Sequence, residues 1–240
     1  MPKAFVPLES NPEVLSDLAH ALGVAPDLEF HDVYSLTDPD LLAFVPRPTL
    51  ALLLVFPVTD AYEAYRLRAD AGVPPYEPAG DDVLWVKQTI RNACGTYALL
   101  HSCLNSAALT TAAAGSDLVA MATALRAAPS TAARAAFLEA YAPLETKHAA
   151  VAQRGDTAAP DAGADVDLHY VAFVKNAAGA LLELDGRRAG PIVLDQLAAD
   201  EDVLSAKAVA HVQAFIEQAQ SAESGALNLS FSLVALGPAM

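Results

Sequence analysis

The residues from Leu50 to Val58, LALLLVFPV, form the longest uninterrupted apolar run in the chain, nine residues. A membrane-spanning helix needs about 20 such residues, so this run is too short to be one. Pro46 and Pro48 stand just before it and Pro57 lies within it, which punctuates the run and argues against a helix. Leu50 to Phe56 has the right length for a central strand buried on both faces. Such a strand needs a sheet around it and cover on both sides. Further strand patterns run over Leu28–Val33, Leu168–Lys175, Ala180–Leu184 and Leu229–Leu236. Helical patterns cover 62–68, 94–105, 116–127, 131–153 and 203–219. A helix also begins at Ser10-Asn11-Pro12-Glu13, where Ser10 or Asn11 can cap, and it ends near Gly23. Asp38-Pro39 opens a short helix that Pro46 closes. The expected architecture is α+β or α/β, a small sheet wrapped by helices.

The 240 residues suit one large domain or two small ones, and the 54% apolar content can fill a sizeable core. The formal net charge of −15 argues against nucleic acid, since phosphate binding needs a basic face. It suits a basic protein or peptide partner, and it serves solubility in any case. Met1-Pro2-Lys3 lacks the layout of a signal peptide, so a cytoplasmic or nuclear location is expected. No membrane association is expected either. Residues 70–82 and 154–165 carry loop signals; the latter, RGDTAAPDAGAD, is small, acidic and too poor in large apolar residues to pack.

The chain has two cysteines, and both fall within QTIRNACGTYALLHSC, residues 88–103. On one helix they would stand roughly 13 Å apart along the axis, beyond disulfide reach. Two free thiols fit a reducing compartment. Cys94 opens the helical run, with Asn92 able to cap it. A thiol in the first turn feels the positive end of the helix dipole, which favours the nucleophilic thiolate. The glycine behind it, Gly95, would let a substrate or a backbone approach closely. Cys103 lies deeper on the apolar face and reads as an inert core thiol. His101 is about two turns from Cys94, too far to be its base. Trp85, just upstream, either borders a substrate channel or belongs to the core.

The base has to come from elsewhere, and VDLHYVAFVKNAAGALLELDGRR supplies one. It reads as two strands joined through Asn176-Ala177-Ala178-Gly179 by a three- or four-residue loop. The pairing places His169 directly opposite Asp185, close enough for an imidazole–carboxylate hydrogen bond. A surface charge pair, or turn chemistry at Asp185-Gly186, would give the same pattern. The apolar neighbours Tyr170, Val171, Phe173, Leu182 and Leu184, and a cysteine in need of a base, favour the functional reading. The six histidines are scattered, and none makes a ligand-spaced pair with a cysteine, so no metal and no cofactor is expected.

KQTIRNACGT, VDLHYVAFV and LELDGRR closely resemble the corresponding motifs of the ubiquitin C-terminal hydrolases, papain-like thiol deubiquitinases. PLESNPEVL, DVYSLTDPDLLAFVPRPTLALLLVFP and SFSLVAL resemble the same family in the same order, so the likeness covers essentially the whole chain. It is greatest to the short, ubiquitin-processing branch. The turn between His169 and Asp185 is about one residue longer than the family pattern, and LNLSFSLVAL matches loosely. The resemblance implies Cys94 as nucleophile, His169 as general base and acid, Asp185 as its orienting carboxylate and Gln88 as an oxyanion-hole donor. It also implies a single domain over residues 1–240, α+β, with a central mainly antiparallel sheet between helical lobes. A flexible crossover loop over about 147–166 would limit the leaving group to small adducts and unfolded peptides. The expected partner is ubiquitin, or a ubiquitin-like modifier with a similar basic tail, bound by a monomer. A catalytically silent ubiquitin-binding module and an unrelated acyltransferase are the rival readings. All four site positions are filled, which disfavours the first, and no motif for an acceptor site supports the second.

Overall fold

The computed structural model describes residues 3–78, 83–157, 160, 162, 166–220 and 231–240. In chain order its helices are α1 (Pro12–Leu22), α2 (Pro39–Leu42), α3 (Asp60–Asp70), α4 (Cys94–Asn105), α5 (Asp117–Ala127), α6 (Thr131–Ala140), α7 (Ala142–Val151) and α8 (Ala206–Gln220). Its strands are β1 (Leu28–Asp32), β2 (Ala51–Pro57), β3 (Leu168–Lys175), β4 (Ala180–Leu184), β5 (Ile192–Gln196) and β6 (Ser232–Pro238). The strands form one sheet in the order β1-β6-β2-β3-β4-β5, and every neighbouring pair is antiparallel.

The apolar run does what its composition requires. β2 lies between β6 and β3, and its side chains alternate between two cores. Ala51, Leu53 and Val55 enter one core, with Leu15, Leu18 and Leu22 of α1 and Leu99, Leu100 and Cys103 of α4. Leu52, Leu54 and Phe56 enter the other, with Tyr62 of α3 and Val212 and Phe215 of α8. The sheet therefore has a thick helical lobe on one face and a thinner one on the other, an α+β arrangement.

Local caps match their residues. Asn11 accepts hydrogen bonds from the N–H groups of Glu13 and Val14, and Gly23 closes α1 at φ 109°, a left-handed conformation suited to glycine. Asp38 caps α2. Three expectations need correction. The pattern over 131–153 is two helices, because Pro143 has no N–H to continue the ladder and Tyr141 turns extended at ψ 90°. α7 then runs to Val151, so residues 147–151 of the expected crossover loop are helical. β5 was not foreseen; it is a five-residue edge strand whose half-exposed side chains give no strong alternation. Of the acidic stretch 154–165, residues 158, 159, 161 and 163–165 lie outside the described residues, as do 79–82 of the earlier loop and Leu229-Ser230 of the last predicted strand.

Candidate active site

α4 is the most deeply buried helix, with Gly95 to Asn105 all inaccessible, and Cys94 stands at its exposed mouth as the first residue. Asn92 does not cap this helix. It takes a left-handed turn at φ 58°, its side chain donates to the Ala162 carbonyl at 3.0 Å, and Ala93 occupies the cap position without a side-chain bond. The turn brings Cys94 against the start of β3, with Sγ 4.0 Å from the Leu168 carbonyl. Gly95 does not open the site to substrate. A Cβ there would meet Leu8 Cβ at 3.1 Å and Tyr170 Cε2 at 3.3 Å, so the glycine serves packing of α4 against the N-terminal arm and β3. A cavity of about 380 Å³ adjoins Cys94, lined by Leu8, Glu9, Val55, Leu168 and Tyr170 among others.

His169 Nε2 donates to Asp185 Oδ1 at 2.8 Å, and both side chains are buried. They meet as expected but not in the expected register. Ala172 lies opposite Leu184 and Lys175 opposite Leu181. Continued by one residue, that pairing sets Asp185 against Val171, so His169 is its diagonal neighbour on the same face. The turn is the cause. Asn176 N–H donates to the Ala180 carbonyl, leaving a three-residue loop, Ala177 to Gly179, with Gly179 left-handed at φ 82°. The pairing slips by an even number of residues from the expected one, so both side chains keep their face.

The pair's electrostatics are one-sided. Burial pushes the His169 imidazolium down, but the Asp185 carboxylate, with the hydrogen-bonded Cys94 side chain adding to it, outweighs burial and brings the pKa up to about 9. Burial alone would raise Asp185; His169, the Arg187 N–H at 2.7 Å and the Tyr62 hydroxyl at 3.0 Å hold it well below the usual carboxylate range. With Nε2 committed to Asp185, Nδ1 is the nitrogen left for Cys94. The other thiol is different in kind: Cys103 is fully buried, and burial pushes it up to about 12.

Gln88 sits beside the turn that carries the carboxylate. Its N–H donates to the Gly186 carbonyl at 2.9 Å, and its amide Nε2 donates to the Ile90 carbonyl at 3.1 Å. A Cβ on Gly186 would fall 2.8 Å from Gln88 Cβ, so only glycine allows this approach. The two segments are laced further. Trp85 is fully buried and its Nε1 donates to the Asp185 carbonyl at 3.0 Å, which places it in the core rather than along a channel. Lys87 Nζ donates to the Arg187 and Arg188 carbonyls at 2.9 Å each. His101 is no partner for Cys94; buried and held neutral, its pKa pushed down to about 4 by burial, it accepts the Val86 N–H at 3.1 Å. Tyr62 and Trp85, the side chains that fix Asp185 from two sides, carry no motif that would have marked them. Among the described residues no group of His, Cys, Asp and Glu could hold a metal ion, and no helix is long and apolar enough to cross a membrane.

Comparison with known proteins identifies the family and the fold. The model of ubiquitin carboxyl-terminal hydrolase, family 1, matches residues 5–217. The chain is 33% identical to ubiquitin carboxyl-terminal hydrolase YUH1 of Saccharomyces cerevisiae over 243 residues, covering 98% of this chain and 97% of the yeast protein. It is 40% identical to ubiquitin carboxyl-terminal hydrolase 3 of Arabidopsis thaliana over 196 residues, 79% of each chain. The fold matches the crystal structure of the Trichinella spiralis UCH37 catalytic domain bound to ubiquitin vinyl methyl ester with a TM-score of 0.74 at 20% identity, over 98% of this chain and 96% of that one. A cysteine at the head of a buried helix, a buried His–Asp pair facing it and a match along nearly the full length lead to one assignment: the chain belongs to ubiquitin carboxyl-terminal hydrolase family 1.

Proposed function

We propose that this chain is a thiol-dependent hydrolase that releases small adducts and peptides from the C-terminal glycine of ubiquitin. The observation that carries the proposal is the buried His169–Asp185 pair, 2.8 Å apart, with the Cys94 thiol on its open side. His169, with its pKa of about 9, holds the proton given up by Cys94, and Cys94 Sγ attacks the glycine carbonyl carbon. The carbonyl oxygen becomes an oxyanion, for which the Cys94 backbone N–H at the start of α4 and the Gln88 amide are the donors. His169 then gives its proton to the leaving amine, and a thioester remains. Water, deprotonated by His169, attacks the thioester; its collapse frees the glycine carboxylate and returns the proton to Cys94. Asp185 keeps Nε2 protonated and steadies the imidazolium throughout.

The preference for small leaving groups rests on the cavity beside Cys94. Gly155, Thr157, Pro160 and Val166, from the segment between α7 and β3, line it together with the N-terminal arm. A leaving group must pass this narrow surround. The acidic chain, at −15, suits a modifier with a basic tail. Two free thiols, Cys94 and Cys103, support a reducing location, cytoplasmic or nuclear. Ubiquitin bearing a C-terminal fluorogenic amide tests the reading, alongside a panel of ubiquitin-like modifiers and linked ubiquitin pairs. Turnover of the ubiquitin amide by wild type, absent in Cys94→Ala, is the expected result. Failure of wild type to cleave it while still binding ubiquitin would leave only a binding module.

A further inference from the structure

α3 is an odd helix for this protein. It has 11 residues, and Tyr62 is its single fully buried side chain. The remainder lies over the surface, tied to the turn after β4 by charged contacts. Arg66 Nη1 donates to the Arg187 carbonyl at 3.1 Å, Arg187 meets Glu63 at 2.5 Å, and Arg188 meets Asp70 at 2.8 Å. The start of the helix is fixed as well, because Thr59 caps it by accepting the Tyr62 N–H at 3.1 Å.

Asp185 Oδ1 accepts from both His169 Nε2 and the Arg187 N–H, whereas the hydrogen bond at Oδ2 comes from the Tyr62 hydroxyl, 3.0 Å away. The phenol ring is set by Phe56, edge-on at 4.7 Å, and the same Phe56 packs edge-on against the His169 ring at 5.9 Å. One aromatic side chain therefore fixes the spacing of the tyrosine and the histidine on either side of the carboxylate. Without a donor at Oδ2, the buried carboxylate could turn about its Cβ–Cγ bond and would satisfy Oδ2 at the expense of His169.

We propose that Tyr62 is a positioning residue for hydrolysis. It holds Asp185 Oδ2 so that Oδ1 stays on His169 Nε2 throughout the reaction. It touches neither substrate nor the reacting atoms. The proposal rests on the assignment of Cys94, His169 and Asp185 to the reaction, and it adds a further side chain, delivered by α3.

Tyr62→Phe removes the hydroxyl and keeps the ring. On the fluorogenic ubiquitin amide, kcat should fall about tenfold with KM unchanged, far less than for Asp185→Asn. The decisive measurement is a cycle. If the hydroxyl acts only through the charged carboxylate, Tyr62→Phe should cost nothing further in the Asp185→Asn background. An equal cost in both backgrounds, or a cost in KM alone, overturns the proposal, because a hydroxyl that merely stabilises the fold would act regardless of Asp185. A second readout needs no turnover. The His169 Nε2 proton, hydrogen-bonded to Asp185, should give a low-field NMR signal that shifts or broadens in Tyr62→Phe. If Tyr62→Phe does not fold, the wild type labelled with fluorotyrosine replaces it: the Tyr62 fluorine resonance should move on Asp185→Asn and stay put on Cys103→Ala. An unmoved resonance in these spectra refutes the positioning role even if the wild type proves inactive on ubiquitin, whereas an inactive wild type with the expected spectra sinks only the assigned reaction.

Discussion

Replacing Asp185 with Asn keeps the shape of the side chain and removes its charge. In the wild type burial pushes the His169 pKa down, but the charge and hydrogen bond of Asp185, with Cys94 adding to them, outweigh it and bring the pKa from 6.5 to about 9. The rise corresponds to roughly 3 kcal/mol of preference for the imidazolium, at about 1.4 kcal/mol per tenfold in proton affinity. His169 is only 3% exposed, so solvent screening removes little of this. An imidazolium forms whenever His169 takes a proton during turnover, so the loss of charge alone should lower kcat by about 10²–10³, and a wrong tautomer would bring the loss toward about 10⁴. His169→Ala, which removes the base, should lose more, and the double variant should be far from additive. Stability should follow the same pair. Because the folded pKa of His169 lies above its unfolded value, its pairing stabilises the fold fully below about pH 6.5 and is lost as the pH rises through 9. The melting-temperature gap between wild type and Asp185→Asn should therefore be widest near pH 6 and narrow toward pH 10, by roughly 2–4 °C per kcal/mol for a chain of this size. The fluorogenic ubiquitin amide gives kcat, and thermal melts across pH give the gap. If Asp185→Asn keeps more than about a tenth of wild-type kcat, or the gap does not narrow, the charge of Asp185 does not hold the imidazolium in the way argued from this geometry.

Cys94→Ala should abolish turnover yet keep modifier binding, and a ubiquitin derivative with a C-terminal electrophile should label Cys94 alone by peptide mass spectrometry; Cys103→Ala should stay within a few-fold of wild type, and the reverse outcome would overturn the nucleophile assignment. Gln88→Ala should lower kcat by about 10²–10³ with little change in binding, the usual cost of one oxyanion donor; weakened binding at unchanged kcat would make it a ground-state contact instead. One residue inserted between Glu183 and Leu184 should turn Asp185 to the opposite face and reproduce the activity of Asp185→Asn. A near wild-type rate for that insertion would refute the shared-face geometry.

The sequence by itself determined most of the elements, though not β5 or the break between α6 and α7, and it carried the motifs of the site. An apolar run without alternation must be buried on both faces, and β2 is. Helix α4 begins and ends where its pattern does, and both strands of the His169–Asp185 hairpin have their expected bounds, because periodicity and turn residues are written in consecutive positions. The motifs around Gln88, Cys94, His169 and Asp185 made the site legible as a set. Tertiary structure decided how that set is held. The hairpin's diagonal register depended on a left-handed Gly179 closing a three-residue loop, which composition alone leaves undecided between neighbouring registers. Gly95 looked like an opening for substrate and is a contact surface for Leu8 and Tyr170, residues distant in the chain. Tyr62 reaches Asp185 across 123 residues and Trp85 reaches it across 100, and neither has a local signature. A hydrogen bond to a buried carboxylate is a property of where two packed surfaces meet, and only the assembled sheet with its two helical lobes brings those surfaces together.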